Sequence, residues 1–203
     1  MNISDFDPHY QNEHIESKIV AALEKIAQVY RLLLWDVCKS REITPLQLQV
    51  LIFIYYHRQS YDTVSYLSKE FNLSRATISE TIRILKEKKL IKKIPSSDDS
   101  RSFFIQLTDE GKKKAERNKW FTSHIHHSVS TLSESGKENL LDALLNIIHY
   151  LNKTGILQVQ RMCFTCTYYQ SKNSRHFCRL MNKQLQISDL RFDCPEHESI
   201  AHI

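Results

Sequence analysis

The sequence predicts a mainly α-helical protein: a helix-turn-helix with a small two-stranded hairpin, framed by long helices and followed by a small cysteine-rich module. Three observations carry this. With Gly 3 and Pro 4 in 203 residues the chain has few helix breakers. Apolar residues recur at helical spacing in segments between residues 15 and 151, and the period turns strand-like around residues 90–107. Four of the five cysteines fall after residue 160 in the pattern C-x2-C-x11-C-x15-C.

In chain order, Ile15, Ile19, Ala22, Ile26, Val29, Leu33 and Val37 form one stripe of a long helix. A stripe that long needs a surface to cover it, either a second subunit or the C-terminal helices. "ITPLQLQVLIFIYY" opens a second helix with Thr44 as N-cap and Pro45 at the first helical position. "TVSYLSKEF" places Val64, Leu67 and Phe71 on one face. "NLSRATISETIRILKEKKL" restarts at Ser74 as N-cap with Ile78, Ile82 and Leu85 inward. The last two helices read as a helix-turn-helix. "LIKKIP" and "SFFIQL", separated by "SSDDSR", are strand-like and form a wing. "TDEGKKKAERNKWF" is a helix capped by Thr108 that is expected to continue past Trp120. A further helix carries Leu140, Leu141, Leu144, Ile147, Ile148 and Leu151 and ends at Gly155. The expected division is therefore a helical domain over residues 1–155 and a cysteine-rich tail over 156–203.

Charge narrows the function. The net charge is +5, and between Arg75 and Arg101 eight basic side chains face four acidic ones, so most of the excess falls on the helix-turn-helix and wing. A basic block on one structural unit is the electrostatic footprint of nucleic-acid binding. "MNISDFDPHYQNEH" has no basic stretch leading into an apolar one, and "VLIFIYY" is too short to span a bilayer, so a soluble cytoplasmic protein without a membrane partner is expected. In a reducing compartment, thiols spaced in this way hold a metal more often than they form lasting disulfides.

These features resemble the multiple-antibiotic-resistance regulator (MarR) family over roughly residues 10–153. The resemblance rests on "ITPLQLQVL", on "TVSYLSKEFNLSRATISETIRILKEKKLI" and on "DDSRSFFIQLTDEG". In the last, Asp99, Arg101, Leu107, Thr108 and Gly111 follow the family's wing pattern D-x-R-x5-L-T-x2-G. The resemblance implies a homodimer that binds inverted repeats in double-stranded DNA; the expected function is a transcription regulator, a repressor, with effector control or with redox or metal control through the cysteine-rich tail. The same resemblance implies a recognition helix over Ser74–Lys88 in the major groove. There Arg75 and Arg83 reach guanine or phosphate and Thr77 and Ser79 reach phosphate oxygens. The resemblance further implies that Arg101 enters or borders the minor groove, with Asp99 holding its guanidinium. One departure is Lys89, where the family usually has glycine at the turn after the recognition helix, which implies strain or a different helix ending.

The tail of 48 residues is too small for a self-sufficient core. Cys163, Cys166, Cys178 and Cys194 are the expected metal ligands: C-x2-C chelates from a tight turn, and two more thiolates complete a tetrahedron. Structural zinc is the expected cofactor, with an iron-sulfur cluster or free, redox-active thiols as the alternatives. His176 and His197 are nearby substitutes for a cysteine. Cys38 reads as a buried small residue. "HIHH" at residues 124–127 offers His124 and His127 on one helical face, read as an exposed polar surface ahead of a metal site. Tyr55, Tyr56, Tyr61, Tyr66 and Trp120 are core or effector-pocket aromatics. The rival readings are a winged-helix adaptor that binds protein, and a zinc enzyme using Glu196 or Glu198 as base. The second conflicts with four thiolates closing the coordination sphere and with the lack of a phosphate loop or nucleophile elbow.

Overall fold

The computed structural model describes residues 4–39, 43–57, 61–95, 103–172 and 175–200. A short helix α1 (Pro8–Glu13) leads into α2 (Ile15–Lys39), a helix of 25 residues. The C-terminal part of α2 is anchored by Leu34 and Cys38, which are buried in the main core. The apolar stripe of its N-terminal part is left uncovered by the described residues: Ile15, Ile19, Ile26 and Val29 are all exposed, Ile26 by 55%.

Helix α3 (Pro45–Tyr56) starts in a full capping box, with the Thr44 side chain accepting from Gln47 N–H and the Gln47 side chain returning to the Thr44 N–H. Its Leu48, Val50 and Leu51 are fully buried, which makes α3 the central helix of the core. Helices α4 (Val64–Glu70) and α5 (Arg75–Glu87) are capped by Thr63 and Ser74 and pack on each other through Leu67, Ile78, Ile82 and Leu85.

Both helices stop in the same way. Asn72 (φ 52°) and Lys89 (φ 57°) are left-handed. Leu73 N–H reaches Ser68 C=O and Leu90 N–H reaches Leu85 C=O, each closing a six-to-one C-cap loop. Asn is at home in that conformation, whereas Lys89 holds it against the Cβ penalty that glycine would avoid.

Strands β1 (Ile91–Pro95) and β2 (Phe103–Leu107) pair antiparallel, from Ile91 opposite Leu107 to Pro95 opposite Phe103. Helix α6 (Asp109–Asn118) follows, capped by Thr108. The expectation that this helix runs past Trp120 fails. The side chain of buried Asn118 turns back to the Lys114 carbonyl, residues 119–122 form turns, and α7 (Ser123–Ser130) begins afresh. Phe121, in that turn, meets Tyr30 of α2 edge-on at 5.1 Å. Helix α8 (Glu134–Lys153) ends at Gly155, whose φ of 79° makes the same C-cap loop without strain.

The tail packs on α8 of its own chain. Leu145 of α8 is buried with Met162, Leu185 and Leu190, and Phe164, Tyr169 and Ile187 close around them. The tail's regular structure is a small antiparallel sheet, β3 (Tyr169–Lys172), β4 (Arg175–Cys178) and β5 (Lys183–Leu185), in that order. Two single-turn 3-10 helices, Cys163–Thr165 and Ile187–Asp189, flank it.

Candidate nucleic-acid interface and the cysteine cluster

The burial of Ile78, Ile82 and Leu85 fixes the rotation of α5, so Arg75, Ala76, Thr77, Ser79, Glu80 and Arg83 all face outward. Several of these side chains already have local work, Thr77 first among them. Ser74 Oγ accepts from Thr77 N–H at 3.1 Å and meets Thr77 Oγ1 at 2.8 Å, so this pair caps the helix. Ser79 is exposed and central on the face.

The arginines are held. Arg75 donates to Ser65 Oγ at 3.1 Å, which ties the start of α5 to α4. Arg83 donates through Nε and Nη2 to Glu80 at 2.8 and 2.5 Å, and through Nη1 to Glu87. The Glu80 carboxyl is held below its ordinary value by the hydrogen bond from Arg83. A guanidinium between two carboxylates one turn to either side has little free charge. A phosphate contact by Arg83 would require it to exchange those partners. The pairs sit at i−3 and i+4 and were therefore legible as helix-surface neighbours.

Beyond α5, Lys92 is exposed on β1 and Lys93 lies over the Phe103 ring at 3.9 Å. Asp99 and Arg101, assigned to the wing tip, lie outside the described residues. What the described part of the wing pattern does is structural. Thr108 caps α6 through Gly111 N–H and donates to the Lys89 carbonyl at 2.8 Å, locking the hairpin's end to the end of α5. His124 and His127 are exposed on α7, as read.

On the tail, Cys163, Cys166, Cys178 and Cys194 all line one cavity of about 270 Å³. All are free thiols. No three His, Cys, Asp or Glu side chains among the described residues are gathered tightly enough to hold a metal ion as they are. The sulfurs nevertheless sense one another: burial pushes the Cys163 thiol up, and Cys194, Cys166 and Cys178 add to the rise against the Arg191 N–H bond. Arg191 N–H donates to Cys163 Sγ at 3.2 Å and its guanidinium reaches Cys194 Sγ at 3.5 Å. The two histidines are occupied elsewhere: His176 with Tyr169 Oη at 2.5 Å, His197 with Thr165 Oγ1 at 3.0 Å.

Sequence reasoning missed Arg161. It is 6% exposed, and it binds Glu70 of α4 and Asp193 of the tail at 2.6 and 2.7 Å. It also donates to Tyr66 Oη at 2.6 Å. Asp193 accepts from His57 as well, at 2.8 Å, while the other His57 nitrogen faces the Phe53 carbonyl at 2.8 Å. Burial works against a charge on the His57 ring, but the Asp193 carboxylate and the Phe53 carbonyl raise its pKa above the ordinary value, and in the protonated form two cations balance two carboxylates. Burial works against the Asp193 charge, yet the bonds from His57 and Arg161 hold that carboxyl well below its usual range. The cluster ties the tail to the helix-turn-helix. Its one sequence signal is position: Arg161 precedes the first metal-pattern cysteine by two residues, and Asp193 immediately precedes the last.

Between these parts lies a larger cavity of about 620 Å³, lined by Tyr61, Tyr66, Lys69, His149, Arg161 and Phe164 among others. Tyr61 and Tyr66 stack at 4.6 Å. Of the five aromatics considered for an effector pocket, these two face it, whereas Trp120 is exposed at 71%.

No curated protein matches the chain. Among solved structures, the S. aureus MepR–DNA complex is 26% identical, covering 64% of this chain and 96% of that one with a TM-score of 0.57. S. aureus MepR in its DNA-binding conformation is 25% identical, with 66% and 98% covered and a TM-score of 0.59. A MarR/EmrR family transcriptional regulator from Acinetobacter sp. ADP1, 20% identical over 69% and 99% with a TM-score of 0.57, shares the fold. Residues 42–102, which include α3, the helix-turn-helix and β1 and stop short of β2, match the family model described as MarR family, and the helical winged-helix fold that carries them is the one found in MarR-family transcription regulators.

Proposed function

We propose that the chain works in the cytoplasm as a homodimeric transcription regulator, a repressor that binds inverted-repeat operators in double-stranded DNA. The observation that carries the reading is the outward face of α5, which presents Arg75, Ser79 and Arg83 at the surface directly ahead of a two-stranded wing. Likeness to MepR, one of whose structures is a DNA complex, supports it. No helix among the described residues is long and apolar enough to cross a membrane.

Dimerisation is supported by the uncovered stripe of α2 together with exposed Leu140, Ile147 and Tyr150 on α8. Apolar faces of that extent on long helices ask for a second copy. Two recognition helices related by a two-fold axis then read half-sites about one helical turn apart, which is the basis of the inverted repeat. Control by an effector enters through the cavity beside Tyr61, Tyr66 and Arg161. A ligand there acts by binding one arrangement of α4 and the tail better than another.

The test is selection from a random duplex pool with the purified full-length protein. Enrichment of a two-fold symmetric sequence with half-sites about 10 base pairs apart is expected. Recovery of a pool no different from the input would contradict the reading.

A further inference from the structure

The tail lacks the means to hold itself together by burial. Four buried apolar residues, one of them borrowed from α8, and strands of four, four and three residues fall short of an independent core. Small modules of this kind are stapled by disulfides or a metal, and no disulfide is formed. The backbone nevertheless brings four thiols from three separate segments to one cavity. Cys163 N–H bonds to the Arg191 carbonyl at 3.0 Å, Cys194 N–H to the Arg161 carbonyl at 2.9 Å, and Cys166 bridges to Ser199. The segments are thus fixed by main-chain bonds, and each sulfur moves by rotation about one side-chain bond.

We propose that Cys163, Cys166, Cys178 and Cys194 close on one zinc ion, and that this ion holds Arg161 and Asp193 in their ion-pair cluster with Glu70, clamping the tail to the helix-turn-helix. The donor set fits: four thiolates give a closed tetrahedral site with no open position, which suits a structural rather than a catalytic ion. On binding, four S–H bonds are lost, four Zn–S bonds form and four protons leave to solvent, with no change of oxidation state. The site then carries a charge of 2−, which the Arg191 guanidinium beside Cys194 and the Arg191 N–H on Cys163 offset. The coupling is covalent in part: Asp193 is the residue before Cys194, and Arg161 is two before Cys163. Moving either ligand segment moves one half of the cluster. This inference does not depend on the DNA reading.

The test is metal analysis of the full-length protein purified without oxygen, with Cys178→Ser and Cys194→Ser beside it and Cys38→Ser as the control. About one zinc per chain is expected in wild type and Cys38→Ser, falling about tenfold in the other two. Replacement of zinc by cobalt should give thiolate-to-metal charge-transfer absorption. Removing zinc with a chelator under reducing conditions should raise amide exchange around Glu70 and Arg161 together. If the cysteine variants fail to fold, wild-type zinc content and the cobalt spectrum still decide. A metal-free wild type, iron with sulfide, or zinc retained in both tail variants would overturn the site. Unchanged exchange at Glu70 after zinc removal would overturn the clamp.

Discussion

The Leu90 carbonyl oxygen lies 2.0 Å from the point where a Cβ at Gly111 would stand. The close approach follows from Thr108, which donates its N–H to Leu90 at 3.0 Å and its hydroxyl to Lys89 while capping α6. Neither backbone segment can give way without losing those bonds. Gly111→Ala should therefore destabilise the protein by about 2–3 kcal/mol, read from urea unfolding. A midpoint equal to wild type would mean that the turn between wing and α6 relaxes freely.

The end of α5 should respond in the opposite direction. Lys89 holds a φ of 57°, where glycine has no steric penalty. Lys89→Gly should stabilise by about 1 kcal/mol in the same measurement. A loss of stability would show that the lysine side chain has an interaction outweighing the backbone strain.

Asp62 sets a pH dependence. It is buried, Oδ1 finds no partner among the described residues, and burial pushes its carboxyl up to about 7. The unfolded-chain value is about 3.9. Between the two values the folded state keeps a proton that the unfolded state has lost, so this group's contribution to stability is present below about pH 4, declines as pH rises and is gone above about pH 7. Asp62→Asn should flatten that slope and be more stable than wild type at pH 8 by about 2 kcal/mol. Parallel stability–pH curves for the two proteins would remove Asp62 as the cause.

Arg161 is the buried member of its cluster, while Glu70 and Asp193 keep part of their solvent contact. Arg161→Met leaves both carboxylates facing an apolar surface, and a loss of about 2–3 kcal/mol is expected, at or below the low end of the range for a broken buried pair because the carboxylates are partly hydrated. A double-mutant cycle with Glu70→Gln should show coupling. Additive effects would mean that the two side chains are close without interacting.

Much of this architecture was readable from residue order. Caps at Thr44, Ser74 and Thr108, the inward set Ile78, Ile82 and Leu85, and the paired runs of the wing are local signals, and local bonding realises them. The break after Asn118 was not readable, because it rests on a buried amide turning to its own helix and on Phe121 meeting Tyr30, a contact 91 positions away in sequence order. The site divides the same way. The outward face of α5 follows from its helical period. That Arg83 lies between Glu80 and Glu87 required attention to spacing as well as to charge, and the Arg161 cluster joins Glu70, Asp193 and His57, which no period connects.

The central claim is that α5 engages DNA through its arginines, and the salt dependence of affinity tests it most directly. Binding of a selected duplex should weaken linearly in log–log coordinates as salt rises, because neutralised phosphates release counterions. Arg75→Ala should lower the slope by about one unit, whereas Glu87→Gln, which frees Arg83 from one carboxylate, should raise affinity and steepen the slope by up to about one unit. An affinity insensitive to salt, or the same slope in all three proteins, would contradict the account.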